Sequence, residues 1–306
     1  LPAELLSLDP DRVDVGSSAS LDDLAPRPPA TDALCRAASD ASPRADGTAV
    51  LLGLDRAVSE RILAIIRTEL FGIARPPLDL HSAISALGTS ELARVGIGVG
   101  VVLALRVRDR ERTRSHWIEA YLSASLASHL VAPTGKTGWW PGRAPTPGEL
   151  WVGAALQDVG RLVLDDLDPA YTERLRVELE TSRSTVAEAE QVLGPLRHAA
   201  VGYRLALRWQ LPPATAALCR DHEDAARTNP ESLRVRAPYT ALLAGTSRLA
   251  TLAMGHLSAR AGERVRTEAC ALLDLEMPEA LALMHHVVAV RGSAQRLSLA
   301  LLPAGL

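Results

Sequence analysis

The sequence predicts an all-α protein, a multi-helix bundle, on three observations. No segment keeps the period-two alternation bounded by hairpin turns that marks strands. Apolar residues recur instead at spacings of three and four, in stretches separated by Gly, Pro and helix-capping residues. With 306 residues, 47% of them hydrophobic, the chain is long enough to bury one or two cores without disulfide staples.

Taken in order, residues 1–23 read as a flexible lead-in. The stretch LAPRPPATDAL (24–34) marks an entry, because its prolines hold the approach extended before a helix starts. Helices are expected at about 31–39, 47–53, 55–70, 79–87 and 89–107. Gly88-Thr89-Ser90 illustrates the logic: glycine ends one helix and a hydroxyl side chain caps the next. The charged run RVRDRERTR (106–114) is taken as the boundary between an N-terminal helical half, 24–114, and a second helical half, 115–301.

The second half is expected to open with a helix over 115–131. The Pro/Gly-rich loop 133–148 follows, carrying Trp139 and Trp140, which serve either as an exposed anchor for a protein partner or as a lid folded back on the core. Residues Leu150 to Leu164 are apolar on almost every side and predict a single helix buried all round. Further helices are expected at about 169–181, 184–193, 195–210, 213–226, 237–258, 262–274 and 277–290.

Composition excludes several classes. A net charge of −3 with basic residues spread along the chain argues against a nucleic-acid groove. No apolar run approaches the roughly 20 residues that span a bilayer, and no secretory signal is visible. Three scattered cysteines suit reduced thiols, so a cytoplasmic location is expected. Leu in place of Met at position 1 leaves room for a longer parent chain.

Three motifs fail on spacing. Gly135-Lys136-Thr137 lacks the upstream glycine of a phosphate-binding loop. Gly96 to Gly100, GIGVG, lacks dinucleotide-binding spacing and a preceding strand, so its glycines are expected to permit close helix packing. His285 and His286 point about 100° apart on a helix and do not easily face one metal.

One constellation survives. Gln157 and Asp158 lie inside the buried Leu150–Leu164 run, where an unsatisfied polar group costs roughly 2–7 kcal/mol. His198 shares a stripe with Val201, Gly202, Leu205 and Trp209, and His222 shares one with Ala214 and Leu218, so both imidazoles are expected to point inward. His116 and Glu119 share a helix face beside Trp117. Inward carboxylates and imidazoles from several helices are what a carboxylate-histidine metal site requires.

The segment ALQDVGRLVL (155–164) resembles the LLHDIGKLVL box of the HD phosphohydrolase superfamily. EAEQVLGPLRHAAVGYRLALRWQLPPATAALCRDHED, with Glu190, Gly194, His198, Gly202, Trp209 and Leu211-Pro212, is similar to its HDOD branch. So are the Pro-rich entry at 24–30, the helix LDRAVSERILAIIRTELFG (54–72) and the AISALG turn (83–88). The resemblance implies an HDOD-like arrangement, with an N-terminal helical subdomain packed on a degenerate HD-like core.

Working HD centres imply one or two metal ions that turn a bound water on a phosphoester. Against that pattern the first-His position is Glu119, the dyad His is Gln157 and the first of the closing His pair is Asp221. Asp158, His198 and His222 persist. A family Asn-Ser pair is replaced by Arg67-Thr68. The resemblance therefore implies a vestigial pocket of Glu119, Gln157, Asp158, His198, Asp221 and His222, with no catalytic residue, no metal and no cofactor.

The expected function is that of a non-catalytic, bacterial-type signalling adaptor that binds other proteins through Trp139 and Trp140, the Pro-rich lead-in or the groove between the halves. Two alternatives stand beside it. One is a metal-dependent phosphodiesterase or phosphohydrolase in which Glu119 or Asp221 completes the ligand set. The other is a sensor that binds a cyclic dinucleotide without cleaving it, its phosphates met by Arg161 and Arg197. Neither nucleic acid nor membrane insertion is expected.

Overall fold

The computed structural model describes residues 30–39, 56–105, 109–131, 140, 143–182, 184–194, 197–226, 229–255 and 257–302. Every regular element among them is helical. The first half contains α1 (Ala30–Ser39), α2 (Arg56–Ile66), α3 (Leu80–Leu87) and α4 (Thr89–Ala104). The second contains α5 (Arg110–Val131), α6 (Pro147–Leu156), α7 (Val159–Leu167), α8 (Pro169–Ser182), α9 (Val186–Leu193), α10 (His198–Arg208) and α11 (Pro213–Asp221). The chain continues through α12 (Pro230–Arg236), α13 (Pro238–Met254), α14 (Ala259–Leu273) and α15 (Met277–Leu301).

Local chemistry sets most of the starts. Asp79, Thr146 and Thr185 each accept from the backbone N–H three residues on while that residue's side chain reaches back, forming capping boxes on α3, α6 and α9. Proline occupies the first turn of α6, α11, α12 and α13, where its missing N–H is not needed. The expected helix at 55–70 ends at Ile66, because Thr68 Oγ1 turns back onto the Ile65 carbonyl at 2.6 Å and a 3-10 turn follows at Glu69–Phe71.

Three larger departures matter. The Leu150–Leu164 run is two helices, α6 and α7, that break at Gln157 and Asp158, with Asp158 at φ −100°, ψ 11°. The pair sits at a corner rather than inside a helix. Helix α5 starts at Arg110, so the boundary placed after residue 114 falls within a continuous helix. The last helix runs to Leu301, eleven residues past the expected end, and Pro230–Arg236 forms a helix between the expected helices at 213–226 and 237–258. The expected helix at 47–53, the lead-in, Gly135-Lys136-Thr137 and Trp139 lie outside the described residues.

Packing is organised around α5, which contacts α6, α13 and α15. Trp117 of α5 and Trp151 of α6 are fully buried and stack with ring centroids 5.8 Å apart and planes within 5°. Helix α4 packs on α6 through Gly98, where a Cβ would stand 3.0 Å from Trp151 Nε1, so Gly98 of GIGVG serves close packing, whereas a Cβ on Gly100 would meet open space. One apolar cluster runs from Leu34 to Leu301 and spans both halves. The buried Arg61 guanidinium of α2 ties them further, donating to the carbonyls of Ala57, Leu301 and Leu302.

Candidate functional site

The corner between α6 and α7 aims Asp158 at the start of α10 and the end of α11. Contact between α7 and α10 is close enough that a Cβ on Gly160 would collide with the His198 carbonyl and stand 2.7 Å from Gly202 N. The two glycines let the backbones touch. That approach puts Asp158 beside His198, the first residue of α10, and beside His222, which caps the C-terminal end of α11.

Four side-chain atoms converge there: Asp158 Oδ1, His198 Nε2, His222 Nε2 and Glu223 Oε1. His198 Nε2 lies 3.0 Å from His222 Nε2, 3.3 Å from Asp158 and 3.4 Å from Glu223. His222 Nε2 lies 3.4 Å from Asp158 and 3.9 Å from Glu223.

The other ring nitrogens fix the tautomers. His198 Nδ1 donates to the buried Glu190 carboxylate at 2.9 Å, and the same carboxylate accepts from the His198 backbone N–H. His222 Nδ1 faces the carbonyls of Leu218 at 3.1 Å and Cys219 at 3.0 Å, so it carries the proton. Both neutral imidazoles therefore present Nε2 lone pairs to the same point. Asp158 Oδ1 has no well-directed hydrogen bond, only charged neighbours. Two lone pairs and two carboxylate oxygens facing one another require a cation or a proton between them.

The donor set fits a single tetrahedral ion. Bonds of about 2.0–2.1 Å to nitrogen and oxygen imply ligand separations of about 3.3–3.4 Å, close to most of those here. Glu190 supplies the outer hydrogen bond that orients a ligating imidazole. Asp158, His198, His222 and Glu223 would hold such an ion, and it would supply positive charge and Lewis acidity.

Without an ion, protons and Arg161 balance the charge. Burial and the Arg161 charge push the His198 pKa down, but the Glu190 charge, the hydrogen bond that His198 donates to it and the nearby Asp158 carboxylate outweigh them and hold the imidazole well above its ordinary value. Burial pushes the Asp158 carboxyl up, but Arg161, His222 and His198 bring it well below the ordinary carboxylate range. Glu223 is lowered as well: its burial is outweighed by the hydrogen bond and charge of His198, with His222 and Arg248 adding to them.

The remaining expected residues are placed around this centre or away from it. Glu119 lies at its edge, accepting from Thr251 Oγ1 at 2.6 Å, with Arg161 Nη1 3.9 Å away. Burial, in a site shared with Asp158 and opposed by Arg161, raises its pKa. His116 Nε2 donates to the Ala155 carbonyl at 2.9 Å, and burial lowers its pKa to about 4, so it is a neutral donor. Gln157 is buried, with its Oε1 lacking a hydrogen-bond donor.

Asp221 stands outside the cluster, half exposed and paired with Arg220 at 2.7 and 2.8 Å. Glu223, two residues on, is the carboxylate that turns inward, and sequence reasoning missed it. The helix ends at Asp221, so the stripe that placed His222 stops predicting direction one residue later. Trp140 is partly buried against the core rather than exposed. His286 stacks on His129 at 4.6 Å and bonds Ser125, while His285 is exposed, so the adjacent histidines do face different ways.

Two small cavities reach the centre. One of about 140 Å³ is bordered by Arg112, His116, Glu119, Asp158, Arg161 and Glu190, and one of about 120 Å³ by Asp158, Arg161, His222, Glu223, Arg248 and Thr251, among others.

A family model for the HDOD domain matches residues 24–225. The chain belongs to the HDOD family. The crystal structure of an HDOD domain protein from Geobacter sulfurreducens is similar at a TM-score of 0.66 and 19% identity, over 90% of this chain and 94% of that one. A candidate phosphohydrolase from Shewanella amazonensis gives 0.64 and 18%, over 92% and 96%. A candidate signal transduction protein from Marinobacter aquaeolei gives 0.67 and 18%, over 91% of this chain and 60% of that one. At these identities the likeness is one of HDOD fold. No curated protein matches the chain. No helix among the described residues is long and apolar enough to cross a membrane.

Proposed function

We propose that this HDOD protein is a signalling adaptor that acts by binding other proteins and does not hydrolyse phosphoesters. The observation that carries the reading is the closure of its centre. Asp158, His198, His222 and Glu223 already supply four protein donors around one point. Structural metal sites are closed in this way, whereas hydrolytic ones keep a position open for water.

Size supports the same reading. Cavities of about 140 and 120 Å³ fall below the roughly 300–1,000 Å³ of small-molecule sites. The arginines available to phosphates are engaged: Arg161 by Asp158 and Glu223, and Arg197 with Asp224 at 3.9 Å. This disfavours the cyclic-dinucleotide sensor. The substituted-ligand hydrolase loses Asp221, which lies outside, and finds Glu119 bound to Thr251.

A larger cleft of about 510 Å³ lies on the groove between the halves, lined by Ala38, Ile97, Trp140, Pro212 and Tyr239 among others. Its apolar walls suit a partner's side chains. A signalling role is consistent with the family and with the name carried by the Marinobacter protein.

The test is turnover of linear and cyclic phosphodiesters with Mn²⁺ present, wild type beside Asp158→Asn. The expected result is no difference between the two. Turnover that Asp158→Asn abolishes would overturn the reading.

A further inference from the structure

We propose that Arg161 is a resident cation standing where a second metal ion would otherwise sit. Its guanidinium gathers carboxylates from three separate parts of the fold. Nη2 lies 2.8 Å from Asp158 Oδ1 at the α6–α7 corner and 3.4 Å from Glu223 Oε1 beyond α11. Nη1 lies 3.9 Å from Glu119 Oε2 on α5. Those three carboxylates and the two imidazoles next to them would repel one another, or take up an ion, if that charge were removed.

Two further observations favour a charge-supplying role over an ordinary hydrogen-bonding one. Arg161 Nε is buried without a hydrogen-bond partner, so Coulombic attraction, rather than a full set of directed bonds, holds the group. Arg161 also borders both small cavities, each of which reaches Asp158. A shorter, uncharged side chain in its place would enlarge the space beside the carboxylates on both sides.

The experiment counts Mn²⁺ per chain by plasma mass spectrometry after dialysis, for wild type, Arg161→Met and Arg161→Lys. Arg161→Met removes the charge but keeps an unbranched chain. It is expected to carry one more ion per chain than wild type, and adding Glu119→Gln to it should return the count to the wild-type value. Arg161→Lys keeps the charge and should gain none. Equal counts in wild type and Arg161→Met overturn the proposal, as does an extra ion in Arg161→Lys.

Should Arg161→Met lack structure without metal, circular dichroism during Mn²⁺ addition decides: recovery supports the proposal, and failure to recover at any concentration refutes it. The inference rests on the non-hydrolytic reading only in sharing its centre. Equal counts without turnover would remove this inference alone, while turnover by wild type would remove that reading alone.

Discussion

The Nε2 atoms of His198 and His222 face each other at 3.0 Å, each ring having committed its Nδ1–H elsewhere: to Glu190 for His198 and to two α11 carbonyls for His222. Two imidazole lone pairs do not approach so closely unless a cation or proton lies between them. Glu190 favours the protonated form of His198, and the centre therefore couples to pH.

The sign follows from linkage. In metal-free protein the His198 pKa is raised in the fold above its unfolded value near 6.5. Its contribution to stability is fully present below that value and is lost as pH rises through the folded-state pKa. Asp158 and Glu223 shift the other way, and their contributions are lost only under acid. Urea unfolding with chelator present is expected to show stability falling as pH rises above 7. Glu190→Gln should flatten that fall and lower stability at pH 7 by about 3 kcal/mol, the scale of breaking a buried pair. Equal slopes in the two proteins would contradict the assignment.

Gln157 is a polar group with a buried oxygen that finds no donor. Leaving such an atom unsatisfied costs about 1–3 kcal/mol. Gln157→Met, similar in volume and apolar, is expected to raise stability by about 1 kcal/mol in a denaturant titration. Destabilisation by that substitution would show that the amide is engaged after all.

Gly160 holds α7 against α10, and a methyl group there meets the His198 carbonyl and Gly202 N. Backbone atoms cannot swing aside as a side chain can. Gly160→Ala is expected to destabilise by about 3 kcal/mol, at the upper end of overpacking effects, and to shift the imidazole resonances of His198 and His222. Unchanged stability would mean that the two helices are not in contact.

Arg61 connects α2 to the end of α15 through the carbonyls of Leu301 and Leu302. Hydrogen bonds from a charged group contribute about 1.5–3 kcal/mol each. Arg61→Met is expected to lower stability by about 3 kcal/mol and to accelerate amide exchange in the last turns of α15. Exchange there unaffected by the substitution would speak against the clasp.

The helical class and the inward turn of His198 and His222 were legible because each rests on local spacing, whereas the hydroxyl cap expected at Thr89 or Ser90 does not form: Gly88 is the N-cap of α4 and no side chain caps it. Gln157 and Asp158 were visible as an anomaly in an apolar run, yet the run reads as one helix. The break lies two residues before Gly160, where α7 comes against the backbone of α10, and that tertiary contact is encoded by no local pattern. Asp221 and Glu223 show the same limit on a smaller scale. Both are acidic and flank His222, and only the end of α11 decides that Asp221 turns to Arg220 while Glu223 turns inward. Arg161 was noted as a candidate phosphate contact; its engagement with three carboxylates depends on tertiary placement.

The closed centre is tested most directly by Co²⁺ added to the wild-type chain and followed by visible absorption, before and after inorganic phosphate. Four protein donors predict either no bound Co²⁺ or an intense tetrahedral band that phosphate leaves unmoved. A weak band of higher coordination that shifts when phosphate is added would reveal an open position, and would contradict the account.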